Sequence, residues 1–100
     1  MKEKLVNRIL ESARRRAASK NYRFDSRTEK ELRSFINGGI NNLSYSQLSS
    51  ESTIRDAQTN ITVLVDIMIE NAQSRQISKS LDTSALNVAL KGFCPRFPFC

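Results

Sequence analysis

A long apolar stretch from Ile54 to Ala72 constrains the fold of this chain more than any other segment. Its apolar residues recur at three- and four-residue steps, the spacing that places side chains on one face of a helix. No glycine or proline interrupts the sequence from Ile40 to Lys91. The stretch therefore predicts a central helix, with a stripe made of Ile54, Ala57, Ile61, Leu64, Val65, Met68 and Ala72.

A strand is the competing interpretation of the same stretch, because its β-branched residues also alternate with a period of two. Its flanks lack the glycine and proline that strand ends use for turns, which favours the helix. Three further apolar residues fall off the helical stripe, so the helix would be apolar on most of its circumference and should lie among its neighbours. They are Val63, Ile67 and Ile69.

Three shorter helices are predicted around the central one. The first is amphipathic and runs from Lys2 to about Lys20. The second begins at a capping box formed by Ser26 and Glu29. It should end near 37–39, because each glycine of the Gly38-Gly39 pair costs about 1 kcal/mol inside a helix.

The boundaries of the later helices are less tightly specified by the sequence. The central helix starts either at Ser44, with Gln47 completing a capping box, or in a shorter form at Ser50 or Ser52. It continues to about Gln76. The last helix would be capped by one of the residues 82–84 and would end at Gly92 in the C′ position.

The predicted fold class is all-α, a small bundle of about four helices around the central apolar helix. One hundred residues allow a single modest core. We expect one helical domain at 1–92, followed by a non-helical tail at 93–100 that is rich in cysteine, proline and phenylalanine.

Positive charge is concentrated near the N-terminus. Residues 1–33 hold eleven of the sixteen Lys and Arg residues with five acids, whereas the rest of the chain carries five of each. Such asymmetry favours an anionic partner, including nucleic acid. The alternative is a solvated helix end whose cations favour its C-terminus. The anion-binding candidates are Arg14, Arg15, Arg16, Lys20 and Arg23.

The composition argues against enzymatic chemistry. The chain has no histidine, which is the usual general base near neutral pH and a common metal ligand. Two cysteines cannot supply a four-ligand zinc site within one chain. Asp66 and Glu70 share a helix face, but we interpret them as a solvent edge or as ion-pair partners of an N-terminal arginine. We predict no catalytic residue, metal or cofactor.

The last eight residues differ in composition from the rest of the chain. Pro95 and Pro98 fix φ and lack an amide donor, so this tail cannot be helical. Its phenylalanines are candidates for docking into a partner, with a hydrophobic lid over the bundle as the alternative; they are Phe93, Phe97 and Phe99.

Cys94 and Cys100 could form a disulfide in an oxidising compartment. The Cys-Pro-x-x-Pro-aromatic-Cys order is similar to the ring of the contryphan venom peptides. The resemblance covers residues 94–100 alone and implies a shared ring geometry without kinship.

The sequence as a whole predicts a non-enzymatic module that binds another protein or a second copy of itself. The second hypothesis is a nucleic-acid-binding regulator that uses the basic N-terminal helix, and the third is a peptide precursor with a helical leader. Asp66 and Glu70 interrupt the most apolar stretch, so no membrane span is expected. The N-terminus lacks the apolar run of a secretory signal, which predicts a cytoplasmic location.

Overall fold

The computed structural model describes residues 2–74, 79–93 and 97. In that part of the chain, five helices and two two-residue strands form an all-α bundle. The elements are α1 (Lys2–Ser19), β1 (Arg23–Phe24), α2 (Ser26–Asn41), α3 (Tyr45–Leu48), α4 (Glu51–Ser74), β2 (Ser80–Leu81) and α5 (Thr83–Lys91).

The central helix is α4, which packs against α1 and α5. Every residue of its predicted stripe is buried, and the strand interpretation of 61–69 is wrong. Val63 is 45% exposed, so α4 is not enclosed on all sides. The core is completed by buried side chains from α1, α2 and α5, which include Ile9, Leu10, Leu32, Ile36 and Leu86.

Aspartates cap the helices that follow the two strands. The Asp25 carboxylate accepts a hydrogen bond from the Thr28 amide at 2.7 Å, so α2 is capped one residue before the predicted Ser26. Hydrogen bonding from Thr28 also holds the pKa of Asp25 below its usual value. Asp82 accepts from the Ala85 amide at 2.9 Å, which selects it among the candidate caps of α5.

The serine-rich connection contains a helix that the sequence did not separate from the central one. Ser44 and Gln47 form the predicted capping box, but it begins the four-residue helix α3. The long helix α4 is separate from α3 and begins at Glu51, directly after Ser50, as in the shorter of the predicted forms. The helix α5 ends at Lys91 and Gly92 follows it as the C-cap residue, so the predicted end is confirmed and Gly92 lies one position closer to the helix than the predicted C′.

The glycine pair does not end α2. The helix continues through Gly38 and Gly39 to Asn41, which corrects the predicted end at 37–39. Gly39 is buried against Phe97, so a tertiary contact offsets the local cost of a glycine.

A short parallel pairing joins the two connectors. Arg23 pairs with Ser80 and Phe24 with Leu81. Tyr22 is buried and Phe24 packs against the core. The pairing places the starts of α2 and α5 side by side.

None of the helices in the described ranges has the length and apolarity needed to cross a membrane.

Candidate functional site

The arginine triplet of α1 is divided by its contacts. Arg14 donates to Glu29 at 2.6 Å and to Glu11 at 3.2 Å. Arg16 donates to both carboxylate oxygens of Asp66, at 2.7 and 3.0 Å. Arg14 thus links α1 to α2, and Arg16 links α1 to α4. The ion pair predicted between Asp66 and an N-terminal arginine is confirmed.

These ion pairs shift the pKa values of Arg14, Arg16 and Glu29. The hydrogen bond to Glu29 raises the pKa of the Arg14 guanidinium, and the bond to Asp66 raises that of Arg16. The hydrogen bond from Arg14 lowers the pKa of Glu29 in turn. A ligand anion at either arginine would compete with a carboxylate that is already bound there.

Arg15 is held much more weakly. Its Nε lies 3.7 Å from Glu11, which already contacts Arg14, and its side chain is 81% exposed. Solvent-exposed pairs of this kind contribute little to stability. The guanidinium of Arg15 therefore remains accessible on the surface of α1.

A tight turn ends α1 and positions the next two candidate cations. The amide of Asn21 donates to the Ala18 carbonyl and that of Tyr22 donates to the Ala17 carbonyl. With Asn21 at φ 64°, this is a Schellman motif, in which asparagine tolerates the left-handed conformation. The turn leaves Lys20 exposed at the helix end and starts β1 at Arg23.

The strand pairing brings a third exposed cation, Lys79, to this end of the molecule. The Arg23 amide donates to the Lys79 carbonyl at 3.0 Å, and both side chains are exposed. The Lys79 ammonium lies 4.6 Å from the centroid of the Tyr22 ring. Within the described residues, neither of these cations nor Lys20 forms an ion pair with a carboxylate. We call Lys20, Arg23 and Lys79 the basic surface.

Sequence reasoning missed Lys79. It lies 56 positions after Arg23 in a polar link, and two-residue strands leave no periodic signal that would predict their pairing. A cavity of about 240 Å³ adjoins the basic surface, and its lining includes Arg14, Tyr22, Arg23, Phe24 and Glu29. An anion or a polar ring bound there would meet the free donors of Arg23.

The described phenylalanines near the C-terminus, Phe93 and Phe97, pack against Phe35 of α2. The ring centroid of Phe97 lies 5.1 Å from that of Phe35 and 6.3 Å from that of Phe93. Phe35 and Phe93 are 6.0 Å apart in an edge-to-face arrangement. We call these three rings the aromatic cluster. Phe97 is only 7% exposed, as the lid alternative predicts for this residue.

Several tail predictions concern residues outside the described ranges. Docking through Phe99 and a disulfide between Cys94 and Cys100 both stay predictions. In the described ranges, no group of three or more His, Cys, Asp or Glu side chains is arranged to hold a metal ion.

Comparison with protein-family models, curated proteins and solved structures finds no match to this chain.

Proposed function

We propose that this protein is a small non-enzymatic binding module that contacts a nucleic acid through its basic surface. One observation carries the proposal. The fold pairs Arg14 and Arg16 with carboxylates, whereas Lys20, Arg23 and Lys79, on the turn after α1 and on the paired strand segments, are exposed and have no acidic partner in the described chain.

Unpaired lysine and arginine side chains are the groups that contact backbone phosphates. The net charge of +6 adds a long-range attraction for polyanions. The basic surface lies on a turn and on strand ends, not along a helix face that could enter a groove. We therefore expect binding that depends steeply on salt and weakly on base sequence.

The protein-binding hypothesis has less support from the described surface. The large apolar side chains that are exposed there are Tyr45, Val63 and Val88, which lie on three different helices. Phe97 packs within its own chain. An acidic protein remains the competing partner, because its carboxylates would meet the same cations.

The proposal is tested by titrating fluorescent mixed-sequence DNA and RNA 20-mers at several salt concentrations. The test variant is Lys20→Gln/Arg23→Gln/Lys79→Gln. Its matched control, Lys2→Gln/Lys4→Gln/Lys91→Gln, removes the same charge from exposed lysines elsewhere. We expect the test variant to lose at least about tenfold in affinity at low salt. Its salt slope should fall by about 2 to 3, because each lost phosphate contact removes roughly 0.7 to 0.9.

Three results would count against the proposal. Absence of binding would contradict it directly, and equal losses in the two variants would indicate attraction by net charge alone. Poly-glutamate provides the third comparison, because binding it as tightly as nucleic acid of equal charge would favour an acidic protein partner.

A further inference from the structure

The two adjacent glycines of α2 have different surroundings. A Cβ atom at Gly38 would have no heavy atom within 4 Å. A Cβ atom at Gly39 would lie 2.5 Å from Cδ1 of Phe97, closer than real Cβ atoms approach a neighbour, and 3.1 Å from Cε1 of the same ring. The space left by the missing side chain of Gly39 is therefore occupied by an aromatic ring.

That ring comes from a residue outside the helices of the bundle. Phe97 lies six positions after Lys91, the last residue of α5. It is seated between the α2 backbone at Gly39 and the rings of Phe35 and Phe93. We call this position the phenylalanine seat.

The seat opens into a groove that Phe97 does not fill. The groove has a volume of about 300 Å³, and Phe97 itself forms part of its wall. Exposed Ser34 and Asn42 provide hydrogen-bonding groups at its edges. A peptide backbone on either side of a seated phenylalanine would find both room and polar partners there.

We propose that this surface of α2 is a binding site for a peptide that carries a phenylalanine, and that Phe97 is the ligand that occupies it within the same chain. The phenylalanine ring of a bound partner peptide would fill the seat, and the groove would receive the backbone of that peptide. The site is separate from the basic surface, so it provides a second interaction that does not depend on nucleic-acid binding.

The test uses the full chain with Phe97→Ala, which empties the seat. The probe is a fluorescein-labelled synthetic peptide of residues 94–100 that carries Cys94→Ser and Cys100→Ser, and binding is followed by fluorescence anisotropy. We expect this variant to bind the probe at least tenfold more tightly than the unmodified chain does, because the resident ring no longer competes.

The two glycines provide the specificity test. Adding Gly39→Ala to the Phe97→Ala chain should weaken probe binding at least tenfold, because the new methyl group occupies the seat. Adding Gly38→Ala should change binding less than twofold. A probe that itself carries Phe97→Ala should not bind.

Equal binding of the probe to the unmodified and Phe97→Ala chains would overturn the proposal, as would binding that is indifferent to Gly39→Ala. If circular dichroism shows that Phe97→Ala is unfolded, the same titrations are made on Phe97→Leu, which keeps apolar contact but leaves the ring position incompletely filled. Failure of that variant to bind more tightly than the unmodified chain would also overturn the proposal.

Discussion

The basic surface and the aromatic cluster differ in whether their side chains are exposed or packed within the molecule. Lys20, Arg23 and Lys79 are exposed and form no ion pairs in the described chain. Phe93 and Phe97 pack on Phe35 of α2. Phe97 already occupies its site on α2, whereas the exposed cations could meet a partner without displacing a residue of this chain.

The arginine triplet shows the same distinction on a smaller scale. Arg14 and Arg16 fasten α1 to its neighbouring helices, while Arg15 between them remains largely exposed. Residues that look equivalent in a charged run thus divide into structural and accessible groups once the fold is known. Substitutions that separate these groups provide direct tests of the comparison.

The largest effect is expected from removing the ring of Phe97. Phe97→Ala should lower the free energy of unfolding by about 2 to 4 kcal/mol, because burial of the ring against α2 is lost. The Lys20→Gln/Arg23→Gln/Lys79→Gln variant should change it by less than about 0.5 kcal/mol. Urea unfolding measures both, and similar losses in the two variants would erase the distinction between the surfaces.

The glycine pair should give smaller effects of opposite sign. Gly38→Ala is expected to stabilise the protein by up to about 1 kcal/mol, because alanine is the better helix former and its methyl group meets nothing. Gly39→Ala should destabilise it by roughly 1 to 2 kcal/mol, because overpacking against Phe97 exceeds the helix gain.

A double-mutant cycle in urea unfolding checks the cause of the Gly39 effect. In the Phe97→Ala background, Gly39→Ala should become stabilising, because the clashing ring is absent. A destabilisation that persists in that background would show that something other than the Phe97 ring restricts position 39.

The smallest effect concerns the ion pair between Arg14 and Glu29. The guanidinium lowers the pKa of the Glu29 carboxyl in the folded state. The ion pair therefore contributes its full stability at any pH above the pKa of Glu29 in the unfolded chain, which is about 4.3. That contribution is lost as the pH falls through the lower folded pKa. The pair is partly exposed, so its contribution to the free energy of unfolding should stay below about 1 kcal/mol.

Thermal unfolding of Glu29→Gln and of the unmodified chain between pH 7 and pH 2 tests this expectation. The difference in melting temperature should be largest at pH 7 and should shrink toward pH 2. Glu70→Gln, at an exposed carboxylate on α4, serves as the control. A difference that stays constant across the range would show that the charge of Glu29 is not responsible.

The helices of this fold could be predicted because their residues obey a local periodicity. The buried stripe of α4 and the apolar side of α1 follow directly from the 3.6-residue repeat. Where a tertiary contact opposes a local preference, the prediction was wrong. Gly39 should end a helix on local grounds, but the space it leaves is occupied by a residue 58 positions away.

The candidate site was only partly predictable for a related reason. Lys20 and Arg23 stand out because they belong to a basic run, whereas Lys79 is an isolated cation in a serine-containing link. Only the pairing of β1 with β2 brings its backbone next to that of Arg23. Likewise, the sequence could suggest a partner for Asp66 but could not specify which arginine of the triplet points toward α4.

The pairing of β1 with β2 also has a consequence for the order in which the molecule is made. Arg23 and its partner Ser80 are separated by 57 positions, so a ribosome must synthesise more than three quarters of the chain before β1 can meet its neighbour. Closing so long a loop carries an entropic cost that later contacts must offset. The pairing of β1 with β2 therefore forms only after residue 81 has left the ribosome, although the residues of α1 and α2 are made much earlier.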